Sequence, residues 1–291
     1  MNSLAIVLVL FSAFMHALRN FYTKKAEDKQ IFVWWYGLFA LIFYLPVFVY
    51  ILFQEEISWL VIGLGIIGGV VHLFEWYFLA KAYEHGDLSQ VYPIMRSAPA
   101  LVLIFAVIFL QEKVTLQGIL GILIAMIGAY LINIKEMRIS ELISPFTFLL
   151  KDRATQFAFA NLVIVAIYSI TDKIGTNYSN PLIFVYLIST FTFLFFTPYI
   201  LLVKPRTKIQ EEWKAHKKTI LTCGFFEIFG YALILLAFTL DKVSYVIGLR
   251  QVSILFGVLL GAYLLKEKHT LIRTAAATII VVGAFLISTA H

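Results

Sequence analysis

Ten apolar stretches run along the chain, at residues 4–22, 31–53, 59–81, 91–110, 115–134, 155–174, 181–203, 219–240, 243–265 and 272–289, each closed by charged or turn-forming residues. An α-helix rising about 1.5 Å per residue crosses the hydrocarbon core of a bilayer in about 20 residues. The pattern predicts an all-α polytopic membrane protein of ten transmembrane helices. Two connections exceed a short turn, 135–153 at the midpoint of the chain and 204–218, and both are predicted as loops. The first stretch follows Met1-Asn2-Ser3 without a basic residue. It is too long for the apolar core of a secretory signal and reads as a retained first helix.

Composition narrows the class. AVILMFWYC supply 61% of the 291 residues and DEKR only 14%, against about 25% charged in soluble domains. The mean hydropathy is +0.90. These values exclude a water-soluble enzyme, a nucleic-acid-binding domain and a disordered chain. The net charge of +6 has a topological explanation instead. Seventeen of the 23 Lys and Arg fall in connections on the side opposite the N-terminus. Lys113, Lys173 and Lys242 fall on the N-terminal side, and Arg19, Arg96 and Arg250 lie within stretches. Basic residues gather in cytoplasmic loops, so both termini are expected outside. Cys223 is the only cysteine; it can form no internal disulfide and is expected to pack as a small apolar residue.

The chain also repeats itself. At a shift of 155 positions Gly69 meets Gly224, Phe74 meets Phe229, Ala82 meets Ala237, Ser89 meets Ser244 and Val91 meets Val246. Glu112-Lys113 meets Glu267-Lys268, Thr115 meets Thr270, and Gly128-Ala129 meets Gly283-Ala284. At a shift of 152, Ile31-Phe32-Val33 meets Ile183-Phe184-Val185 and Pro46 meets Pro198. Five helices per half is an odd number, so the second half enters the membrane from the opposite face. The expected organisation is two inverted five-helix repeats, 1–137 and 154–291, joined by a linker loop at 138–153. Inverted repeats are a common construction of secondary transporters.

Several motifs carry a family resemblance. In the first half they are Leu79-Ala80-Lys81-Ala82-Tyr83-Glu84 through Ser89-Gln90-Val91-Tyr92-Pro93, Pro99-Ala100-Leu101 followed by Phe109-Leu110-Gln111-Glu112-Lys113, and Ile119-Leu120-Gly121 through Ile127-Gly128-Ala129-Tyr130. In the second they are Leu264-Leu265-Lys266-Glu267-Lys268 and Val281-Val282-Gly283-Ala284, with Ile254 where the first half has Pro99. Together they resemble the drug/metabolite transporter superfamily, EamA type, over nearly the whole chain. The resemblance implies the ten-helix fold and transport of a small solute. It does not name the solute, because that family spans amino acids, sugars, nucleotides and amines. Its members are often drawn with cytoplasmic termini; Glu55, Glu56 and the basic count argue the opposite here.

Ionisable groups inside a bilayer cost about 2.5–3.5 kcal/mol each on insertion scales, so they need partners or a watery cavity. Seven lie away from the ends of the stretches: His16, Arg19, His72, Glu75, Arg96, Glu227 and Arg250. His16, Arg19 and Asn20 share one helix face at i, i+3 and i+4. A guanidinium beside an amide suits a carboxylate or a phosphonate-like group, although Arg19 can also snorkel to the headgroups. His72, Glu75 and Trp76 share a face of the third stretch, and His72 is the repeat mate of Glu227. Glu75 and Glu227 are candidate proton-coupling or amine-binding groups, or else members of buried pairs with Arg. Arg96 and Arg250 open the fourth and ninth stretches and can attract an anion or neutralise those carboxylates. Pro93 and Pro99 bracket Arg96 and favour a bent helix there. Tyr231, at i+4 from Glu227, can join it around a cationic amine. Trp34, Trp35, Tyr36 and Trp59 fit an interfacial aromatic belt. Gly65-x-x-x-Gly69 and Gly257-x-x-x-Gly261 allow close helix contact, within the chain or at a dimer face.

The leading reading is a secondary transporter, importer or exporter, of a small polar metabolite by alternating access, with protons as the candidate coupling ion. It would sit in a bacterial inner (plasma) membrane as a monomer or homodimer, with lipids and the solute as its partners. An uncoupled facilitator of the same fold and an integral membrane enzyme acting on lipid head groups are the alternatives. Against an enzyme, no His-Glu-x-x-His spacing occurs and the five Asp (Asp28, Asp87, Asp152, Asp172 and Asp241) fall near loops. No cofactor or metal is expected.

Overall fold

The computed structural model describes residues 1–86, 91, 94–131, 152–265 and 271–290. The expected linker at 138–153 therefore lies almost wholly outside the described residues, as do Tyr92 and Pro93. The described chain folds into helices α1 (Ser3–Lys25), α2 (Lys29–Leu52), α3 (Trp59–His85), α4 (Ala98–Phe109), α5 (Leu116–Leu131), α6 (Arg153–Tyr178), α7 (Pro181–Val203) and α8 (Arg206–Leu240). These are followed by α9 (Val243–Leu249), a 3-10 turn over Arg250–Val252, α10 (Ser253–Leu265) and α11 (Leu271–Thr289). No strand occurs among the described residues. Seven segments are long and apolar enough to cross a membrane, and Ile94–Phe109, Leu116–Leu131 and Arg273–Thr289 are shorter apolar helices.

The helix packing repeats when the two halves are exchanged. α3 packs on α6 as α8 packs on α1, α3 on α7 as α8 on α2, and α4 on α6 as α10 on α1. Small residues set these contacts. A Cβ on Gly69 would stand 2.5 Å from Phe191 Cβ of α7, and one on its mate Gly224 would stand 3.0 Å from the Tyr36 carbonyl of α2. Gly65, likewise 2.9 Å from Leu187 Cβ, assigns the first Gly-x-x-x-Gly pair to packing within the chain. Where α5 meets α11 the seam is self-complementary. A Cβ on Gly283 would lie 2.4 Å from the Ala125 nitrogen and 2.7 Å from the Gly121 carbonyl, and one on Gly128 would lie 2.8 Å from the Ala276 carbonyl. Gly121 and Ala276 are mates at the 155 shift, as are Gly128 and Gly283, so the two contacts are images of each other across a two-fold.

The repeated polar motif between the fourth and fifth stretches serves the same architecture. Glu112 accepts from the Val243 amide at 2.6 Å and from Ser244 Oγ at 2.6 Å, capping the start of α9. The Thr115 amide donates to the buried Tyr245 hydroxyl at 3.0 Å.

Connections at one end of the bundle bring Met1 to the Ala290 carbonyl, Asn2 to Asp241 and Asn180 to Glu55. At the opposite end Lys204 pairs with Asp28 at 2.6 Å, and the Asp28 amide donates to Glu212 at 3.0 Å. Desolvation raises the Asp28 carboxyl, but the Lys204 ammonium and the Ile31 and Gln30 amides outweigh it and hold it below the usual carboxylate range.

Two expectations need correction here. The 204–218 connection is not a loop: α8 starts at Arg206, directly after Pro205, and runs unbroken into the bilayer-length segment. Proline pre-sets a helical start, and charged residues sustain a helix that projects into water. Trp34 and Tyr36 are not belt residues exposed to lipid. Both are buried, with the Trp34 indole donating to Thr197 Oγ1 at 3.0 Å, while Trp59 is fully on the surface. Cys223 is buried beside Phe32, Tyr36 and Ile220, as a packing residue should be.

Candidate substrate site

Four long helices, α1 and α3 from the first half and α6 and α8 from the second, carry polar residues that meet one another rather than lipid. His16, one turn before Arg19 on α1, lies 3.1 Å from Arg19 Nη2 through Nδ1 and 3.1 Å from Asn20 Nδ2 through Nε2. The Arg19 guanidinium forms an ion pair with Glu227 of α8, with the two side chains 17% and 21% exposed. Across the bundle, His72 Nε2 of α3 contacts Asp172 Oδ2 of α6 at 3.1 Å, and Asp172 is completely buried. The Tyr231 hydroxyl of α8 donates to the same Asp172 oxygen, leaving Oδ1 without a hydrogen-bond partner among the described residues. The Tyr168 ring of α6 stacks on His72 at 4.4 Å. Arg19, Glu227 and His72 keep partial exposure of 15–21% although they meet partners across these helices.

The fourth and ninth segments come close to this cluster at breaks in their helices. Ala100 turns its amide to Ser97 rather than to Arg96, and Pro99 has no N–H to offer. The freed Arg96 carbonyl accepts from Gln251 Nε2 at 2.8 Å. Ser97 at this break is the 155-shift mate of Val252, the last residue of the 3-10 turn that interrupts the ninth segment. The interruption recurs although Ile254 replaces Pro99. Discontinuous helices in both halves are a recurring feature of transporter sites. Arg250, at the second break, lies 5.7 Å over the Tyr231 ring. Glu75 stands within electrostatic range of His72, Arg250 and Arg19. It makes no ion pair among the described residues. Asn161 Nδ2 of α6 donates to the Glu75 main-chain carbonyl at 2.9 Å.

Most of the residues singled out in the sequence thus converge: His16, Arg19, His72, Glu75, Glu227, Tyr231 and Arg250, with Arg96 within electrostatic range of His16. Asn20 reaches His16 but is itself exposed at the rim. Trp76 does not join them; its ring packs edge-on against Phe196 of α7 at 5.4 Å. Glu227 is neutralised by Arg19, not by Arg96 or Arg250. Tyr231 turns to Asp172 and Arg250 instead of closing an aromatic face around Glu227.

The reading that all five Asp lie near loops fails at Asp172. Helix α6 continues to Tyr178, and Asp172 points inward a turn and a half before that end. Tyr168 and Asn161 were missed with it. The signal was available: at the 152 shift that matches α2 to α7, His16 meets Tyr168 and Asn20 meets Asp172.

The model of the EamA-like transporter family matches residues 3–134 and 153–289. No curated protein matches the sequence. A solved structure described as "Crystal structure of protein" is similar in fold, with a TM-score of 0.75 at 14% identity over 99% of each chain.

Proposed function

The chain belongs to the EamA-like transporter family, and from that premise we propose that it moves a small polar metabolite by alternating access through the polar space between α1, α3, α6 and α8. The observation that carries this reading is a pair of crossed contacts. Arg19–Glu227 joins α1 to α8, and Asp172–His72 joins the repeat-equivalent α6 to α3, with acid and base exchanged. Charged groups at membrane depth are retained for function and rarely for stability alone.

Ten spans follow when the three shorter apolar helices cross together with the seven longer segments. Two inverted repeats, 1–137 and 154–291, then rock about the α5–α11 seam. The Asp28–Lys204 end faces the cytoplasm and both termini face outward, in a bacterial plasma membrane, as the basic count predicts. A reporter fused after His291 reads as outside; cytoplasmic activity of that fusion overturns the orientation.

Proton coupling is assigned to Glu75, the carboxylate of the site that makes no ion pair among the described residues. In proteoliposomes, counterflow of a labelled solute without chemical change tests the transport reading, and product formation points to an enzyme. Glu227→Gln abolishes counterflow while the protein stays folded in the membrane. With an imposed pH gradient, Glu75→Gln loses uphill accumulation while some exchange persists. Accumulation equal to the parent protein's removes Glu75 as the coupling group and leaves an uncoupled facilitator.

A further inference from the structure

A basic stretch of α8 leads into an apolar groove on the outside of the bundle. Residues 204–218 hold six Lys and Arg against two Glu. Glu212 is buried and engaged, accepting from the Asp28 amide at 3.0 Å and standing 3.7 Å from His216. Glu211 is exposed, one turn before Lys214. Lys214, Lys217 and Lys218 are exposed and make no ion pair among the described residues. Beyond Lys218 the helix becomes apolar, and there a groove of about 690 Å³ opens between α8 and α2. Leu221, Thr222 and Phe225 of α8 line it with Phe43, Tyr44 and Val47 of α2. The hydroxyls among them are satisfied within the protein: Tyr44 donates to the Phe225 carbonyl at 2.9 Å and Thr222 to the Lys218 carbonyl at 3.0 Å. The groove therefore offers a guest carbon surface, with a basic cluster at one end.

We propose that an anionic phospholipid occupies this face, its phosphate at Lys214 and Lys218 and an acyl chain in the groove between α2 and α8. The helix register brings the two parts into line. Lys214, Lys218, Leu221, Thr222 and Phe225 stand at i, i+4, i+7, i+8 and i+11, within an arc of about 100° on α8. At the helical rise, Leu221 and Phe225 lie about 5 and 10 Å beyond Lys218 along the axis. Charge selects the headgroup. Basic residues just outside a spanning helix attract acidic lipids, and a lysine stem can lie along apolar surface with its ammonium at headgroup depth. A zwitterionic lipid carries its own cation beside the phosphate and gains less from the same lysines. Shape selects the chain. Lipid and protein are equally apolar in a bilayer, so the gain is one of packing, and a concave wall touches more of a chain than a flat helix does. A second copy fits less well. Two copies inserted in the same direction would meet here at equal depth, basic cluster against basic cluster.

Native mass spectrometry of the full-length protein in detergent tests this. The probes are dioleoylphosphatidylglycerol, dioleoylphosphatidylcholine and dihexanoylphosphatidylglycerol. The long-chain acidic lipid is expected to bind most tightly. Lys214→Gln/Lys218→Gln should lower its apparent affinity about 30-fold, equivalent to about 1 kcal/mol per lysine, toward that of the phosphatidylcholine. Arg206→Gln/Lys208→Gln removes the same charge nearer the start of α8 and should change little. Thr222→Trp fills the groove from its exposed rim. It should cancel the advantage of long over short chains and keep the preference for the acidic headgroup. These separate losses are not produced by general misfolding, and each altered residue is exposed, so all variants should melt like the parent in the absence of added lipid. Equal losses in the two charge variants mean attraction to total charge alone and overturn the site. An acidic preference that survives Lys214→Gln/Lys218→Gln, or a chain-length advantage that survives Thr222→Trp, overturns it as well. So does a dimer mass that Thr222→Trp disperses, which places a second copy in the groove.

Discussion

The Arg19–Glu227 pair gives a sharp quantitative test. Both side chains are about four-fifths buried, so neither surface nor deep-interior values apply. Removing one partner of a buried pair costs about 3–5 kcal/mol in soluble proteins, while exposed pairs are worth about 0–1 kcal/mol. Polar pairs measured inside a membrane protein average about 0.6 kcal/mol and reach about 1.7. The two sets of limits meet at about 2 kcal/mol for each of Arg19→Gln and Glu227→Gln, because each leaves a lone, largely buried charge. The double variant leaves no charge and should lose about 1 kcal/mol or less, giving a coupling energy of about 3 kcal/mol. At about 2 °C per kcal/mol for a chain of this size, each single variant melts about 4 °C lower in detergent and the double variant recovers most of that loss. Size-exclusion chromatography of fluorescent fusions after graded heating reads all four proteins. Additive losses refute the reasoning, since they mean the two side chains are not coupled in the folded state.

Three other outcomes follow. Gly283→Val drives a side chain into the Ala125 main chain, 2.4 Å from where its Cβ would stand, so the α5–α11 seam should open and folded yield should fall sharply on a size-exclusion trace. Glu112→Ala removes the acceptor of the Val243 and Ser244 amides and should destabilise by about 1–2 kcal/mol, read as a lower melting temperature that Glu112→Asp partly restores. Asp28 has a folded-state pKa below its ordinary 3.8, so its contribution is complete above that value and is lost as pH falls through the lowered one; melting curves between neutral pH and pH ~3 should show a slope that Asp28→Asn, which keeps a helix-capping side chain, makes shallower.

Long apolar runs bounded by charge made the segments of α1, α2, α3, α7 and the membrane part of α8 legible, because nothing but a helix satisfies the backbone in lipid. In the first copy of the repeated polar motif Glu112 and Thr115 each anchor the start of the ninth segment, whereas its second copy, Glu267-Lys268 and Thr270, lies outside the described residues. Asp172 was hidden for a local reason. Lys173 beside it looked like the end of a span, whereas the Lys173 ammonium bends back to the Phe238 carbonyl and the helix continues. The 3-10 turn at Arg250–Val252 carries no proline or glycine. Its cause is tertiary, the packing of the ninth segment against α1 and α11, and a single sequence does not encode that visibly. Trp76 shared a helical face with Glu75 only approximately; one position of rotation, about 100°, turns it to α7.

The exchange of sign between the two crossed pairs bears on how such a bundle could work. A strictly symmetric site would present the same charge on equivalent helices, so α6 would carry a cation like α1 and α3 an anion like α8. Here α1 supplies the cation and α8 the anion, while α6 supplies the anion and α3 the imidazole. The first repeat therefore supplies both bases and the second both acids, and in the proposed cycle both crossed contacts join elements that move relative to each other when the halves rock. Because the repeats are inverted in the proposed topology, Arg19–Glu227 lies nearer one membrane face and Asp172–His72 nearer the other. Opening one face would strain one contact while preserving the other, so the number of broken polar contacts stays constant through the cycle. The Arg19→Gln/Glu227→Gln double variant, freed of one crossed contact but not of the other, should then favour the state open at the Asp28–Lys204 end. Cysteines placed at that end on a Cys223→Ala background should label faster than in the parent. Equal labelling would mean the pair holds helices together without gating either face.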